Sequence, residues 1–207
     1  MWLVVVSLPP PRRTPKPLHA ILFSSTELVR IYNPERLGPV QFSGWGPRHR
    51  FDHHRVTGRG PAEDPDRRTY YAADDLKGCV VEVFGDTGVI TVGDLRVALL
   101  RPRRDLQLLD LRGDGALAVG SVAALAAIPD RILSQAWARW FYEHPEDFGL
   151  IDGIAYHNAH NSDSAYLLFE RAENVLEVLG HLPLAAFVLR AQLRLIAAQC
   201  NLIVEPY

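Results

Sequence analysis

The sequence predicts an α+β fold in a single domain. Its 207 residues are enough for one well-packed domain and marginal for two. Short β-like segments and helical segments follow one another without the strict alternation that is typical of a parallel βα sheet. No stretch of the chain repeats at a fixed period, so a solenoid or propeller is not indicated.

The composition narrows the functional class. Twenty-two basic and 24 acidic residues leave a net charge of −2, and this lacks the basic field that binds nucleic acid directly. No uncharged apolar segment reaches membrane length. We therefore expect a soluble, cytoplasmic protein. Its two cysteines, Cys79 and Cys200, fit no zinc spacing and are expected as free thiols, with a single disulfide as the alternative.

The first 17 residues differ from the rest. The short apolar start lacks the basic region of a signal peptide, and a proline-rich stretch follows at residues 9–17. We expect residues 1–17 to form a strand or disordered leader followed by a tether, and residues 18–207 to form the domain.

Within the domain, periodicity and turn residues predict these elements in order. In the first half we expect a short helix and then a strand over residues 18–32, a long loop over 33–68, a strand at "RTYYAA", and a helix that Asp74 or Asp75 caps. In the second half we expect strands at "GVITV", "RVALL" and "LQLLDL", a short helix at "VAALAAI", a helix at "PDRILSQAWARWFYEH", strands at "LIDGIAYHN" and "AYLLFE", a helix over 185–199 and a strand at "NLIVEP".

The clearest helix, "PDRILSQAWARWFYEH", shows an apolar stripe at helical spacing. We expect the stripe to face the core, with Gln135 beside it. The stripe consists of Ile132, Leu133, Ala136, Trp137, Trp140 and Phe141.

Two histidine-rich stretches, "HRFDHH" at 49–54 and "HNAHNS" at 157–162, do not share metal-ligand spacing. We read both as polar loops and predict no metal site. The chain also lacks a phosphate-binding P-loop, a GxGxxG pattern and a nucleophile elbow.

Three polar side chains stand in apolar surroundings. Glu82 lies in the run "CVVEVF", Arg30 lies on the strand "LVRIY", and Tyr71 lies in "RTYYAA". A charge among core residues costs several kcal/mol unless it is solvated, paired or used. Each residue alone also fits an ordinary role: Arg30 in a salt bridge at a sheet edge, Tyr71 in core packing, and Glu82 on a solvent-facing helix surface.

Together these segments resemble the RES domain family. The resemblance is carried, in the family's order, by "LVRIYNP", "RHRFD", "TYYAADDLKGCVVEVF", "LSQAWARWF" and "DGIAYHNAHNSDSAYLLF". It implies a fold related to ADP-ribosyltransferases, with mixed central sheets and flanking helices. It also implies NAD⁺ as substrate, no cofactor, and inorganic phosphate or water as the acceptor. Many family members are toxins that deplete NAD⁺ and are held inactive by an Xre-type helix-turn-helix antitoxin.

The resemblance assigns the site residues. Arg30, Glu82 and Asn158 take the catalytic positions, although the family normally has Ser where this chain has Asn158. Arg30 can bind phosphate oxygens through two hydrogen bonds, and Glu82 can bind the ribose and stabilise an oxocarbenium-like sugar.

The remaining candidates bind substrate. Tyr32 or Tyr71 can stack on nicotinamide or hydrogen-bond the ribose. Arg50 can hold a phosphate, and Ser162 or Ser164 can stand in for the missing Ser. Three other arginines compete with Arg50 for this role: Arg48, Arg55 and Arg59.

Two alternative functions stay open at this point. One is a catalytically weakened module that binds a nucleotide or a partner, as the Ser-to-Asn158 difference suggests. The other is an ADP-ribosyltransferase that modifies a macromolecule.

Overall fold

A computed structural model describes residues 5–56, 58 and 60–205. The expectations for residues 1–4 and for Arg59 therefore lie outside the described residues. Residues 5–17 form no helix or strand, yet they lie against the domain. The indole N–H of Trp137 donates to the Ser7 carbonyl oxygen at 2.7 Å, and the Lys16 amide donates to the Ala118 carbonyl oxygen at 2.8 Å.

Most of the regular structure is β-strand. The strands in chain order are β1 (His19–Leu22), β2 (Leu28–Tyr32), β3 (Trp45–Gly46), β4 (Ala62–Glu63), β5 (Thr69–Ala73), β6 (Val89–Ile90), β7 (Arg96–Pro102), β8 (Leu106–Asp110), β9 (Gly153–His157), β10 (Ser164–Phe169), β11 (Leu176–Pro183) and β12 (Ile203–Val204).

The helices are fewer. They are α1 (Leu76–Phe84), α2 (Gly115–Ala118), α3 (Arg131–Glu143), α4 (Pro145–Phe148) and α5 (Arg190–Cys200), with 3-10 turns at Ala123–Ala126, Glu170–Ala172 and Phe187–Leu189. Side-chain hydrogen bonds cap the N-termini of α1 and α3, the two helices that contribute residues to the site. The Asp75 carboxylate accepts the Gly78 amide in α1, and the Asp130 carboxylate accepts the Ile132 and Leu133 amides in α3.

Eight strands form one curled mixed sheet in the order β1-β8-β9-β10-β5-β2-β7-β11. All neighbours in it are antiparallel except β8 and β9. This mixture of strand directions, with few helices, confirms the predicted α+β class. The ladder between β2 and β5 holds a single register pair, Val29 with Ala73, whereas β2 and β7 share five pairs. The sheet therefore splits between β2 and β5 beyond that point.

The core lies on both faces of the sheet. On one face, α3 packs over β8 to β10 through Trp137 and Phe141, while α1 and α5 pack over β2 and β7 through Val80 and Leu193. The opposite face buries a second set of apolar side chains, among them Leu28, which the curled sheet and its loops enclose. The two helical layers leave a gap between them above the split.

Several sequence predictions need correction. Residues 19–22 form strand β1, paired with β8, instead of a helix; a short apolar run does not distinguish the two, and pairing with β8 decides. Strand β11 was not predicted. The C-terminal helix begins at Arg190 instead of residue 185, and "VAALAAI" forms a 3-10 turn.

The stripe predicted on α3 is also partly wrong. Ile132 is 74% exposed, whereas Gln135 is only 6% exposed and Ser134 is fully buried. These two polar side chains bind a loop, as described below, and that contact rotates the buried face. Both cysteines are free thiols, Cys79 buried and Cys200 half-buried. Within the described part of the chain, no helix has the length and apolar character needed to cross a membrane.

Gly153 tests the packing of the central strands. A Cβ at this position would lie 2.1 Å from the Leu167 carbonyl oxygen on β10. We expect Gly153→Ala to lower the free energy of unfolding by roughly 1–3 kcal/mol, since backbone atoms must move. Urea unfolding measures the change. Gly180→Ala is the matched control, because a Cβ at Gly180 would meet no described atom within 4 Å; equal losses in the two variants would contradict the packing.

Candidate functional site

The split between β2 and β5 opens into a cleft of about 440 Å³. A smaller chamber of about 70 Å³ adjoins it and shares Arg30, Tyr71 and Glu82 as walls, with Cys79 and Tyr156 added. The larger cleft therefore combines apolar surface with charge. Its charged and titratable walls are Arg30, His49, Arg50, Tyr71, Glu82, Asp86, Arg131 and His160.

Arg30 is buried at the floor of this cleft. Strand alternation places it on the face of Leu28, but the split lets it reach the cleft as well. Its guanidinium lies 4.0 Å from the centre of the Tyr70 ring, and Nη1 donates to the Gln41 carbonyl oxygen at 2.9 Å. Among the described residues no carboxylate forms an ion pair with it. A buried guanidinium held in this way is a natural partner for an anionic ligand.

Glu82 projects into the cleft from α1. The helix buries Leu76, Val80 and Phe84 against the sheet and leaves Glu82 on its open side. Surrounding protein atoms desolvate the carboxyl and raise its pKa above the ordinary value, while the nearby Arg50 and His160 oppose that shift. Arg30 and Glu82 therefore line the same cleft from two different elements.

Asp52 fastens the loop that forms the opposite wall. Its carboxylate is fully buried and accepts the backbone amides of Arg48 at 2.6 Å and His49 at 2.8 Å. It also accepts the hydroxyl of Tyr71 at 2.8 Å and that of Thr69 at 3.3 Å, both from β5. Burial raises the pKa of the Tyr71 hydroxyl well above its usual value, and Asp52 adds to that shift.

Helix α3 holds the same loop from its other side. The Ser134 hydroxyl donates to the Arg50 carbonyl oxygen at 2.6 Å, and the Gln135 amide donates to the His49 carbonyl oxygen at 2.9 Å. The Arg50 guanidinium donates to the Ile128 carbonyl oxygen. These contacts explain why α3 buries two polar side chains, and they turn His49 and Arg50 toward the cleft.

Arg48, Arg50 and Arg55 are the candidate loop arginines that the structure describes, and of these three only Arg50 lies in the cleft wall. Arg55 is bound to Asp64 and Asp66 instead. Arg48 is not among the cleft walls and contributes its backbone amide to Asp52.

Three predicted site residues do not line the cleft. The Tyr32 hydroxyl lies 2.7 Å from His181 Nδ1, among the core of the opposite face. Ser162 is exposed in a left-handed turn with φ 59°. Asn158 is buried, and its amide bridges the Gly78 carbonyl oxygen at 3.3 Å and the His160 backbone amide at 2.9 Å.

The structure adds four charged or titratable cleft residues that the sequence did not identify as site residues. They are His49, Asp86, Arg131 and His160. Burial lowers the pKa of His49, whose ring meets Tyr71 edge-on at 5.4 Å. "HRFDHH" and "HNAHNS" did contain the two histidines, but nothing in their spacing distinguishes a cleft wall from a polar loop.

The other polar residues of "HRFDHH" are structural. His53 and His54 are fully buried, and His53 Nε2 lies 3.0 Å from a Glu170 carboxylate oxygen. Among the described residues, His144, Glu146 and Asp147 at the start of α4 place three potential metal-ligand atoms near one another. None of these three lines the cleft.

Known proteins resemble this chain in family and in fold. The family model of the RES domain matches residues 27–189 of this chain. A similar solved structure is a chain of the crystal structure of the M. tuberculosis MbcT–MbcA toxin–antitoxin complex. It aligns with a TM-score of 0.54 and 17% identity over 78% of this chain and 85% of that chain. At this identity the likeness concerns the fold. No curated protein matches the chain.

Asp52 is the first test of the site. In Asp52→Asn the new NH₂ group faces amide and hydroxyl donors, so buried donors lose an acceptor. We expect unfolding free energy to fall by roughly 1–3 kcal/mol. Urea unfolding measures this. Asp114→Asn is the control, because its carboxylate makes no cap bond to α2; an unchanged stability in Asp52→Asn would contradict the role given to Asp52.

The buried His53 predicts a pH dependence of stability. Burial lowers its folded pKa below the unfolded value of 6.5, and Glu170 only partly opposes this shift. Below pH 6.5 the unfolded chain therefore binds more protons than the folded chain does. The contribution of His53 to the free energy of unfolding is complete above that pH and is lost as the pH falls. We expect a loss of about 1 kcal/mol between pH 7.5 and 5.5, measured by urea unfolding. The slope should flatten in His53→Phe, and an equal slope in both proteins would contradict the assignment.

Proposed function

Because the chain belongs to the RES domain family, we propose that it is an enzyme that degrades NAD⁺ by cleaving the bond between nicotinamide and ribose C1′. One observation carries this proposal. Arg30 and Glu82, distant in sequence and on different elements, line a single cleft whose size suits a small-molecule ligand.

The cleft's residues suit the parts of NAD⁺. Arg30 has no carboxylate partner among the described residues, so its charge is available to the pyrophosphate. Arg50, on the neighbouring loop, supplies a second cation for a substrate phosphate or for inorganic phosphate. The Tyr71 hydroxyl is already bound to Asp52, so we assign the ring face to stacking on a planar group such as nicotinamide.

Glu82 carries the chemical role. As the C1′–N bond breaks, its electron pair goes to the nicotinamide nitrogen, and positive charge develops on the ribose. A carboxylate fixed in the cleft stabilises that charge in the transition state more than in the ground state. Water or phosphate then bonds to C1′, giving ADP-ribose or its 1″-phosphate.

We further propose that the enzyme is a cytoplasmic toxin held inactive by a partner protein. The similar solved structure is a toxin–antitoxin complex, and the family resemblance implies an antitoxin of the Xre helix-turn-helix type. Co-purification with the product of an adjacent reading frame tests this partner; a product that neither binds nor inhibits the enzyme would count against it.

The weakened binding module is the second candidate. This candidate is suggested by Asn158, which occupies the position where the family has Ser. Since the Asn158 side chain contacts Gly78 and His160 and does not line the cleft, the difference removes no cleft wall. Calorimetry with NAD⁺ separates the two candidates, because binding without nicotinamide release would favour the module.

Transfer of labelled ADP-ribose to protein or nucleic acid would instead indicate an ADP-ribosyltransferase.

Nicotinamide release from NAD⁺ tests the enzyme directly, with and without phosphate. We expect Glu82→Gln to lower kcat by about 10²–10³-fold, since it removes the anion that stabilises the transition state. Arg30→Ala should raise KM, because the pyrophosphate loses its charged partner.

The controls are Glu146→Gln and Arg103→Ala, two exposed charges outside the cleft. Folded wild-type protein that releases no nicotinamide under either condition would refute the proposal. Equal kcat values for Glu82→Gln and Glu146→Gln would remove the role of Glu82.

A further inference from the structure

The turn at residues 158–163 brings a histidine into the cleft that no role above uses. His160 lines the cleft together with Glu82 and Asp86, and it is one of three nearby groups that oppose the rise in the pKa of the Glu82 carboxyl caused by burial. Histidine is the side chain best suited to accept a proton near neutral pH. Three independent contacts hold it in place.

The first contact is made by Asn158. Its carbonyl oxygen accepts the backbone amide of His160 at 2.9 Å, and its NH₂ group donates to the Gly78 carbonyl oxygen at 3.3 Å. Because Gly78 belongs to α1, the amide fastens the start of the turn to the helix that carries Glu82. A serine hydroxyl is too short to span both partners.

The second contact is made by Gly85, which follows the last residue of α1. A Cβ at Gly85 would lie 2.7 Å from His160 Cγ, so the imidazole packs directly on the glycine backbone. Gly85 lies three residues after Glu82, which is one helical turn. The ring is therefore held next to the position from which Glu82 enters the cleft.

The third contact is made by Asp86. One of its carboxylate oxygens lies 3.5 Å from His160 Nε2, and the other lies 4.0 Å from an Arg131 guanidinium nitrogen. A proton on Nε2 would face this carboxylate and would leave Nδ1 as the basic nitrogen. No hydrogen bond engages Nδ1 among the residues that the structure describes. The carboxylate also stabilises the imidazolium that forms when Nδ1 takes up a proton.

We propose that His160 is the general base that activates the acceptor, with Asp86 and Asn158 as positioning residues; this rests on the proposed function. The acceptor oxygen bonds to C1′ while its proton passes to His160 Nδ1. The C1′–N bond breaks, and its electron pair neutralises the nicotinamide ring. The imidazolium then releases the proton to solvent. Glu82 stabilises the sugar cation and takes no part in this proton transfer.

This assignment gives the Ser-to-Asn158 difference a physical meaning. Asn158 does not reach the substrate itself; it holds a histidine that does. The charged groups facing His160 are Glu82 and Asp86 from the α1 side and Arg131 from α3. The two carboxylates attract the positive charge that develops on the ring in the transition state, whereas the guanidinium repels it.

Nicotinamide release by His160→Ala tests the proposal. We expect kcat to fall by about 10²–10⁴-fold with KM little changed, because the base acts on the bond change and not on binding. Added imidazole should restore part of the lost kcat, since the truncated side chain leaves space over Gly85. Asp86→Asn should lower kcat by a smaller factor. His157→Ala, an exposed histidine outside the cleft, is the matched control.

Four outcomes would overturn it. They are an unchanged kcat in His160→Ala, a loss that imidazole does not restore in a folded variant, a rise in KM that accounts for the whole effect, and a higher kcat in Asn158→Ser than in the wild type. Thermal unfolding confirms that each variant is folded. Wild-type protein that releases no nicotinamide would overturn both the proposed function and this inference. If the wild type is active and His160→Ala has the same kcat, only the inference is overturned.

Discussion

The site depends on one buried carboxylate. Asp52 has no exposure to solvent, yet it accepts hydrogen bonds from two backbone amides of its own loop and from two hydroxyls of β5. Isolated burial of such a charge is costly, and four donors offset that cost. As a result, the loop carrying His49 and Arg50 has one position relative to Tyr71. The wall of the cleft therefore takes its shape from the hydrogen bonds that the Asp52 carboxylate accepts.

The open sheet supplies the other half of the arrangement. β2 and β5 share one register pair and then separate, which leaves space between the helical layers. Arg30 lies over the Tyr70 ring on the opposite face and reaches this space through the split, and Glu82 enters it from α1. A sheet that stayed paired would have closed over both side chains. This opening lets a guanidinium and a carboxylate face one cleft, and the roles proposed for the two side chains depend on it.

The sequence predicted the main elements well where periodicity was long or caps were distinctive, as in α1 behind Asp75 and α3 behind Asp130. It failed at 19–22 and at β11, because short apolar runs become strands only when a neighbour pairs with them. It misjudged the buried face of α3 for a related reason. Ser134 and Gln135 turn inward to bind a loop distant in the chain, and helical periodicity carries no information about that loop.

By itself the sequence determined the fold class, the family resemblance and the candidate pair of Arg30 and Glu82, because each depends on residue types and their order along the chain. Only the tertiary structure decided which side chains meet. It brought His49, Asp86, Arg131 and His160 to the cleft and left Tyr32 and Ser162 away from its walls. The reason is that long-range hydrogen bonds, such as those of Asp52 and Asn158, orient loops whose local sequences are compatible with many directions.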